Sequence, residues 1–320
     1  MPRPTMLETA LMPATVRMMP ADSAAETARR IVDFMAGLSL EAARLDAADI
    51  VALQGAVPQR TPVYLTAVAA RPLASLIAPA KALRAAGFEL VPHLAVRSIA
   101  SAGALDDIVS SLALAGVRRI LVIAGDRDRP AGPFANAIEV IESGLLQRYG
   151  ITEVGIAGYP EGHPRISPLL LEQALAAKVE AAGQTGLAVH IVTQFGFDAG
   201  AILGWLARLR DQGIEHPVRV GMAGPTSLST LLRYAQRCGV HASVEGFTRH
   251  AGLIKHLVGT SAPDGIIRPL AEACAGGRLG KVTPHFYSFG GVAATGRWTG
   301  AAAAGHIVLD RADGFRVEPP

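Results

Sequence analysis

The feature of this sequence that most constrains its fold is a regular alternation of short apolar segments with longer helix-forming segments. Short apolar runs bounded by turn-forming residues are typical of strands buried on both faces of a parallel sheet. We interpret eight such runs as strands: residues 38–42, 62–68, 88–94, 117–123, 154–158, 187–193, 217–222 and 285–289. Helical patterns follow every strand except the last, at residues 46–56, 73–86, 105–115, 135–149, 169–182, 201–212 and 228–238. This period predicts an α/β fold, a (β/α)8 TIM barrel.

We predict a single domain over residues 1–320, with further segments before and after the alternating strands and helices. An amphipathic helix at residues 23–37 precedes the first strand and is expected to cap the barrel floor. The barrel is expected over 38–291, with several helices and no strand over 240–280, and residues 292–320 form a peripheral C-terminal extension. An open, doubly wound sheet is the alternative, but no Gly-x-Gly-x-x-Gly motif opens the first helix.

Composition argues against several classes of function. The 30 Lys and Arg residues nearly balance the 27 Asp and Glu residues, and no basic run is interleaved with aromatic residues, so we expect no nucleic-acid partner. Cys238 and Cys274 lie far apart without a zinc-binding pattern, which favours a reducing compartment and no structural metal. No apolar run approaches the roughly 20 residues of a transmembrane helix, and residues 1–20 lack the apolar core of a signal peptide. We therefore expect a cytoplasmic protein without a membrane partner.

Polar residues stand where the predicted strands end, and in a barrel these ends converge on one mouth where ligands bind. They are Glu41, Thr66, His93, Asp126, Tyr159, Glu161, His163, Gln194, His285 and Tyr287. Two carboxylates in an apolar cavity can have pKa values that differ widely, so that one remains a proton donor while the other stays charged. Gln194 followed by Phe195 offers amide hydrogen bonds beside a stacking surface for a planar heterocycle.

Structural roles are the alternative for these residues. Glu41 is also compatible with an ion pair to Arg44, and His93 with a buried histidine that hydrogen-bonds the backbone. Asp126 is compatible with a solvated charge cluster formed with the neighbouring arginines. Of Phe195 and Phe197, at least one is expected to pack in the core.

Five strand-end motifs, in this order and spacing, resemble those of the methylenetetrahydrofolate reductase family. They are residues 91–94 (VPHL), 124–126 (AGD), 157–164 (AGYPEGHP), 192–198 (VTQFGFD) and 285–287 (HFY). The resemblance implies a TIM barrel that holds FAD at its mouth. It also implies an oxidoreductase of one-carbon metabolism that interconverts 5,10-methylenetetrahydrofolate and 5-methyltetrahydrofolate.

The same resemblance implies roles for individual residues. Glu41 matches the proton donor to the folate, and Asp126 matches an aspartate near the flavin and the pterin. Gln194 matches the glutamine that contacts the pterin, and Phe195 and Tyr287 are further candidate substrate contacts. The candidate FAD contacts are Thr66, His93, Gly125, Asp126, Ala135, Tyr159, His163 and Lys178.

Departures from the family pattern indicate a divergent branch. Ala124 stands where the family often has Arg, and the helix after His163 lacks the acidic and amide residues that often contact the adenosine end of FAD. Whether NADH, NADPH or neither reduces the flavin stays open. Two other functions also stay open: a flavin-dependent barrel oxidoreductase of another small amine or imino substrate, and a non-catalytic folate-binding protein. A homo-oligomer is neither indicated nor excluded.

Overall fold

The predicted strands pair in chain order and close on themselves. The computed structural model describes residues 21–68, 71–238, 260–310 and 314–318. The barrel strands are β1 (Ser39–Ala42), β2 (Pro62–Leu65), β3 (Glu89–Ala95), β4 (Arg119–Ile123), β5 (Glu153–Gly158), β6 (Ala188–Thr193), β7 (Val218–Ala223) and β8 (Val282–Tyr287). All neighbours are parallel, and β8 closes the barrel against β1 with His285 opposite Ser39. The TIM-barrel prediction is confirmed.

Helices alternate with the strands, as the apolar periodicity predicts. They are α1 (Ala21–Met35), α2 (Ala47–Ala56), α3 (Ile77–Ala85), α4 (Ala102–Leu114), α5 (Ala137–Ile141), α6 (Leu145–Arg148), α7 (Pro168–Gln184), α8 (Ala199–Asp211), α9 (Leu228–Cys238), α10 (Asp264–Cys274) and α11 (Val292–Ala303). Side-chain caps begin several of them: Asp46 caps α2, Ser167 caps α7, and Asp198 caps α8. No helix among these described residues combines the length and apolar character needed to cross a membrane.

Several local predictions are wrong. The helix expected over 135–149 is two short helices, because Gly144 adopts a left-handed conformation (φ 73°) that interrupts the turn pattern. The last strand begins at Val282 instead of residue 285. Its start was not predicted because it contains Pro284, and proline is unusual inside a central strand. The two-residue strand Thr260–Ser261, paired with Thr226–Ser227, lies in the region expected to contain no strand.

The C-terminal segment contributes to the barrel itself. It was expected to be peripheral from residue 292, but α11 follows β8 and packs closely against α2. Thr295 and Thr299 are fully buried, and a Cβ atom on Gly300 would overlap the carbonyl oxygen of Ala56. Small residues permit this close contact but produce no obvious apolar stripe. The helix α11 was therefore not predicted from the periodicity of apolar residues. The extension proper is the antiparallel pair Ile307–Leu309 and Phe315–Val317.

The N-terminal helix packs against the last part of the barrel. The apolar face of α1 buries Ile31, Phe34 and Met35 and contacts α10 and α11. Just after it, Gly37 lies against Thr283 at the amino end of β8. Residues 1–20 and most of the 240–280 region for which we expected helices lie outside the described residues, and the domain boundaries stay predictions.

Candidate functional site

Glu41, at the carboxyl end of β1, is held by side chains from neighbouring strands. Thr66, just after β2, donates its hydroxyl to Oε1 of Glu41 at 2.8 Å. Nε2 of His93 on β3 and Nε2 of His285 on β8 lie 3.4 Å and 3.3 Å from Oε2 of Glu41. Oγ of Ser39 lies 2.9 Å from Nδ1 of His285. Glu41 therefore has two histidine partners instead of the ion pair with Arg44 that was the structural alternative.

These partners decide the ionisation of Glu41. Burial alone raises the pKa of this carboxyl, but the charge interaction with His93 and the hydrogen bond from His285 outweigh burial and hold the pKa well below its usual range. Burial lowers the pKa of His285. Glu41 is therefore a carboxylate in this arrangement, and not the protonated acid that burial in an apolar cavity predicts.

A second polar network lies deeper in the barrel, beneath this cluster. The hydroxyl of Tyr64 lies 2.7 Å from Nε2 of His190, and Nδ1 of His190 lies 2.6 Å from Oε1 of Glu153. Arg119 pairs with Glu153 at 3.1 Å. The ring of Tyr64 packs edge-on against His285, with 4.6 Å between centroids. Sequence reasoning missed this network, although a Tyr and a His inside otherwise apolar strands were a usable signal.

The loop after β4 carries the second candidate carboxylate. Gly125 has φ +85°, and its Cβ position lies only 3.0 Å from Cβ of Ala95, so the backbone turns tightly here. Asp126 follows and is exposed at the barrel mouth. Arg97 donates from Nε to the carbonyl oxygen of Ala135 at 2.8 Å, which ties the far end of this loop to the end of β3. Arg97 was not singled out from the sequence, because a single loop arginine carries no distinctive pattern.

Glu41 on β1 and Asp126 in the loop after β4 each influence a tyrosine at a strand end. Burial, and next the charge of Glu41, raises the pKa of Tyr287, and Tyr159 also contributes to that rise. Burial and then the charge of Asp126 raise the pKa of Tyr159. The charge of Glu41 thus acts on Tyr287, and the charge of Asp126 acts on Tyr159.

Residues after β5 suit the phosphate-bearing part of the flavin that the resemblance implies. The ring of His163 packs edge-on against Tyr159, with 5.4 Å between centroids. Nζ of Lys178 lies 3.4 Å from the carbonyl oxygen of Ala157, and burial lowers the pKa of Lys178 to about 8. No carboxylate within the described ranges forms an ion pair with this ammonium, and a partly buried cation of this kind fits an anionic phosphate.

The residues at which the resemblance places the adenosine end of FAD are different in character. The first turn of α7 exposes Leu169 and Leu170, with 63% and 55% of their surface accessible, and Ile166 precedes them. These side chains offer no hydrogen bonds to a ribose or an adenine. The fit to FAD is therefore good at the phosphates and depends on apolar contact beyond them.

The loop after β6 supplies an amide and an aromatic wall. Oε1 of Gln194 accepts the backbone N–H of Phe195 at 3.1 Å. The ring of Phe195 is 1% exposed and packs against Tyr287 and Phe289, at 5.6 Å and 5.0 Å between centroids. The hydroxyl of Tyr287 donates to the carbonyl oxygen of Thr193 at 3.0 Å. Phe195 thus packs in the core, as expected for at least one of the two phenylalanines, while Gln194 and Tyr287 are half-buried.

Comparison with known proteins gives a consistent result. A model of the family described as "Methylenetetrahydrofolate reductase" matches residues 48–249. Methylenetetrahydrofolate reductase 2 of Saccharomyces cerevisiae is 30% identical over 162 residues, which cover 47% of this chain and 26% of that protein. The 5,10-methylenetetrahydrofolate reductase of Pectobacterium carotovorum is 26% identical over 209 residues, which cover 63% of this chain and 65% of that protein. The chain thus spans less than two thirds of the length of either relative.

A solved structure resembles the whole barrel. It is described as an uncharacterized protein from Clostridium thermocellum that binds two copies of 5-methyl-5,6,7,8-tetrahydrofolic acid. The TM-score is 0.55 at 11% identity, covering 86% of this chain and 96% of that chain, which supports the fold alone. Glu41 and Tyr287 lie outside the residues that the family model matches, so their assignment depends on the motifs and on geometry.

Proposed function

The chain belongs to the methylenetetrahydrofolate reductase family, and on that premise we propose that it is a flavin-dependent oxidoreductase that interconverts 5,10-methylenetetrahydrofolate and 5-methyltetrahydrofolate. The observation that carries this proposal is the environment of Glu41. A carboxylate with two histidine partners, at the carboxyl end of β1 in the barrel mouth, can exchange a proton with a bound substrate.

Glu41 would act as the general acid in the reducing direction. Its resting form is the carboxylate, so the proton reaches it before it is given to the substrate. His285 is placed to relay this proton: its imidazole is neutral at rest, and a proton that the ring takes up can pass to Glu41, whose Oε2 lies 3.3 Å from Nε2. Proton transfer from Oε2 of Glu41 to the bridging nitrogen opens the folate ring to an iminium, which then accepts hydride.

Asp126 and Gln194 would bind and orient the substrate. The exposed carboxylate of Asp126 would stabilise the cationic iminium through its charge. The amide of Gln194 would exchange its internal hydrogen bond with Phe195 for hydrogen bonds to the edge of the pterin. Tyr287 would pack beside the pterin ring.

FAD, when bound, would supply the hydride chemistry, with reduced flavin as donor in the reducing direction. Lys178 would hold a phosphate, and His163 and Tyr159 would line the same side of the site. The backbone at Gly125 and Ala135, with Thr66 and His93 nearer Glu41, completes the proposed cofactor contacts. The reductant, NADH or NADPH, is not indicated by any described residue.

The test is an absorption spectrum of the purified protein, with the released cofactor identified, followed by anaerobic addition of 5-methyltetrahydrofolate. We expect bound FAD, bleached by the folate. Bound flavin that small amines or imino acids bleach, and the folate does not, would identify a different substrate class. A protein that neither contains nor takes up FAD but binds the folate would be a non-catalytic folate-binding protein. Separate addition of NADH and NADPH identifies the reductant.

A further inference from the structure

Glu161, in the loop after β5, binds the backbone of the loop after β6. Its Oε1 atom accepts the N–H groups of Phe197 at 2.5 Å and of Asp198 at 2.9 Å. These two hydrogen bonds cross 36 and 37 residues of sequence, so they join two separate loops at the barrel mouth. Glu161 is therefore not directed at the mouth in the manner expected of a strand-end carboxylate.

The contact is close enough to require glycine next to it. A Cβ atom on Gly196 would overlap Oε1 of Glu161, so only glycine lets the backbone approach the carboxylate this closely. On the other side, the N–H of Gly196 donates to the carbonyl oxygen of Gly221 at 3.2 Å. Residue 196 is thus held between Glu161 and β7.

The segment held in this way carries the amide proposed to bind the pterin. The N–H of Gln194 donates to the carbonyl oxygen of Gly158 at 2.9 Å, which fixes the segment where β6 ends. Glu161 fixes its other end, at residues 197 and 198. Gln194 and Phe195 thus belong to a short backbone segment that is hydrogen-bonded at its start, at Gln194, and at its end, at residues 197 and 198.

We propose that Glu161 is a positioning residue of the folate site, which holds the loop after β6 so that Gln194 presents its amide to the pterin. This inference depends on the proposed function, since it names the residue that orients the substrate-binding amide. Glu161 acts through the backbone of residues 196–198 and does not contact the substrate. Its other oxygen, Oε2, is buried and has no hydrogen-bond partner among the described residues, so Oε1 alone makes the connection.

A pair of substitutions at one position separates this role from general packing. Glu161→Gln keeps an acceptor oxygen in the place of Oε1, whereas Glu161→Leu preserves size but removes it. With bound FAD kept reduced so that the folate binds without reacting, we expect the Kd for 5-methyltetrahydrofolate to rise about tenfold in Glu161→Leu and to stay within about twofold in Glu161→Gln. The KM for the folate should follow the Kd, with little change in kcat. Glu172, an exposed acid on α7, lines a surface cavity together with Glu161, so Glu172→Gln is the matched control and should have no effect.

Two further measurements test the same role if one variant fails to fold. Gly196→Ala keeps Glu161 in the chain but separates its carboxylate from the loop, since the added Cβ would overlap Oε1, so it should weaken folate binding as Glu161→Leu does. Hydrogen exchange at the amides of Phe197 and Asp198 should be faster in Glu161→Leu than in wild type and restored in Glu161→Gln.

The outcomes distinguish failure of the positioning role from failure of the proposed function. Faster exchange in Glu161→Leu with wild-type folate affinity would overturn the positioning role, as would failure of Glu161→Gln to restore binding. A wild-type protein that does not bind 5-methyltetrahydrofolate at all would instead overturn the proposed function, and this inference with it.

Discussion

Nε2 of His285 lies 3.3 Å from Oε2 of Glu41, and the two residues are 0% and 7% exposed. Burial lowers the pKa of the histidine, while the histidine partners lower that of the carboxyl. The resting pair therefore consists of a neutral imidazole and a carboxylate. A proton entering the cluster is shared over a short distance, which suits a group that must both release and accept a proton as the reaction direction changes.

Replacing Glu41 by Gln should remove this proton transfer while leaving the cavity nearly unchanged. We expect the rate of flavin bleaching by 5-methyltetrahydrofolate to fall about 10²- to 10⁴-fold. The visible spectrum of bound FAD should be unchanged, which serves as the control for folding. Wild-type bleaching in this variant would remove Glu41 from the mechanism.

Replacing Asp126 by Asn should chiefly slow the folate half-reaction, because the amide cannot stabilise a cationic intermediate. A decrease of roughly 10- to 100-fold is expected in stopped-flow measurements of flavin reduction by the folate. Asp128→Asn is the matched control, since Asp128 is 87% exposed and forms only a surface pair with Arg165 at 3.4 Å. Equal rates in the Asp126 variant and the wild type would contradict the charge role.

The affinity for FAD should depend on pH through Lys178. Burial lowers the pKa of Lys178 to about 8, so the flavin-free protein loses this positive charge as the pH rises through that value. The charged form binds phosphate, and FAD affinity should therefore fall about tenfold between pH 7 and pH 9. Fluorescence titration with FAD measures this directly.

Two variants test the assignment to Lys178. Lys178→Arg should bind FAD with little pH dependence, because an arginine keeps its charge over this range. Lys178→Met should bind weakly at both pH values. A steep pH dependence that persists in Lys178→Met would show that another group is responsible.

The stability of the fold should depend on the close packing of α11, the last of the outer helices, on α2. Gly300→Ala should lower the free energy of unfolding by about 1–3 kcal/mol, because its Cβ would overlap the carbonyl oxygen of Ala56 on α2. Gly55→Ala, at the residue before Ala56, is the control: its Cβ meets nothing within 4 Å, and it should stabilise by about 0.5–1 kcal/mol. Urea unfolding measures both, and equal stability of the two variants would argue against close packing of α11 on α2.

Local sequence determined the elements of this fold. Apolar runs and their turn-forming boundaries placed all eight barrel strands to within a few residues, because burial on both faces demands a recognisable composition. Where the pattern failed, the residues lacked such a composition: Pro284 begins no typical strand, and α11 packs through Thr, Ala and Gly. The polar strand ends, and hence the candidates Glu41, Asp126 and Gln194, followed from the same periodicity.

What only the tertiary structure decided is which of these groups meet and in which ionisation state. Closure of the barrel brings His285 of β8 and His93 of β3 to Glu41 of β1, across up to 244 residues of sequence. Burial alone raises the pKa of Glu41, and these partners reverse the direction of that shift. The attachment of Glu161 to Phe197 and the packing of Gly300 against Ala56 likewise arise between distant segments. Short-range sequence patterns determine how each segment folds, whereas distances of a few ångströms between remote side chains depend on how all the segments close together.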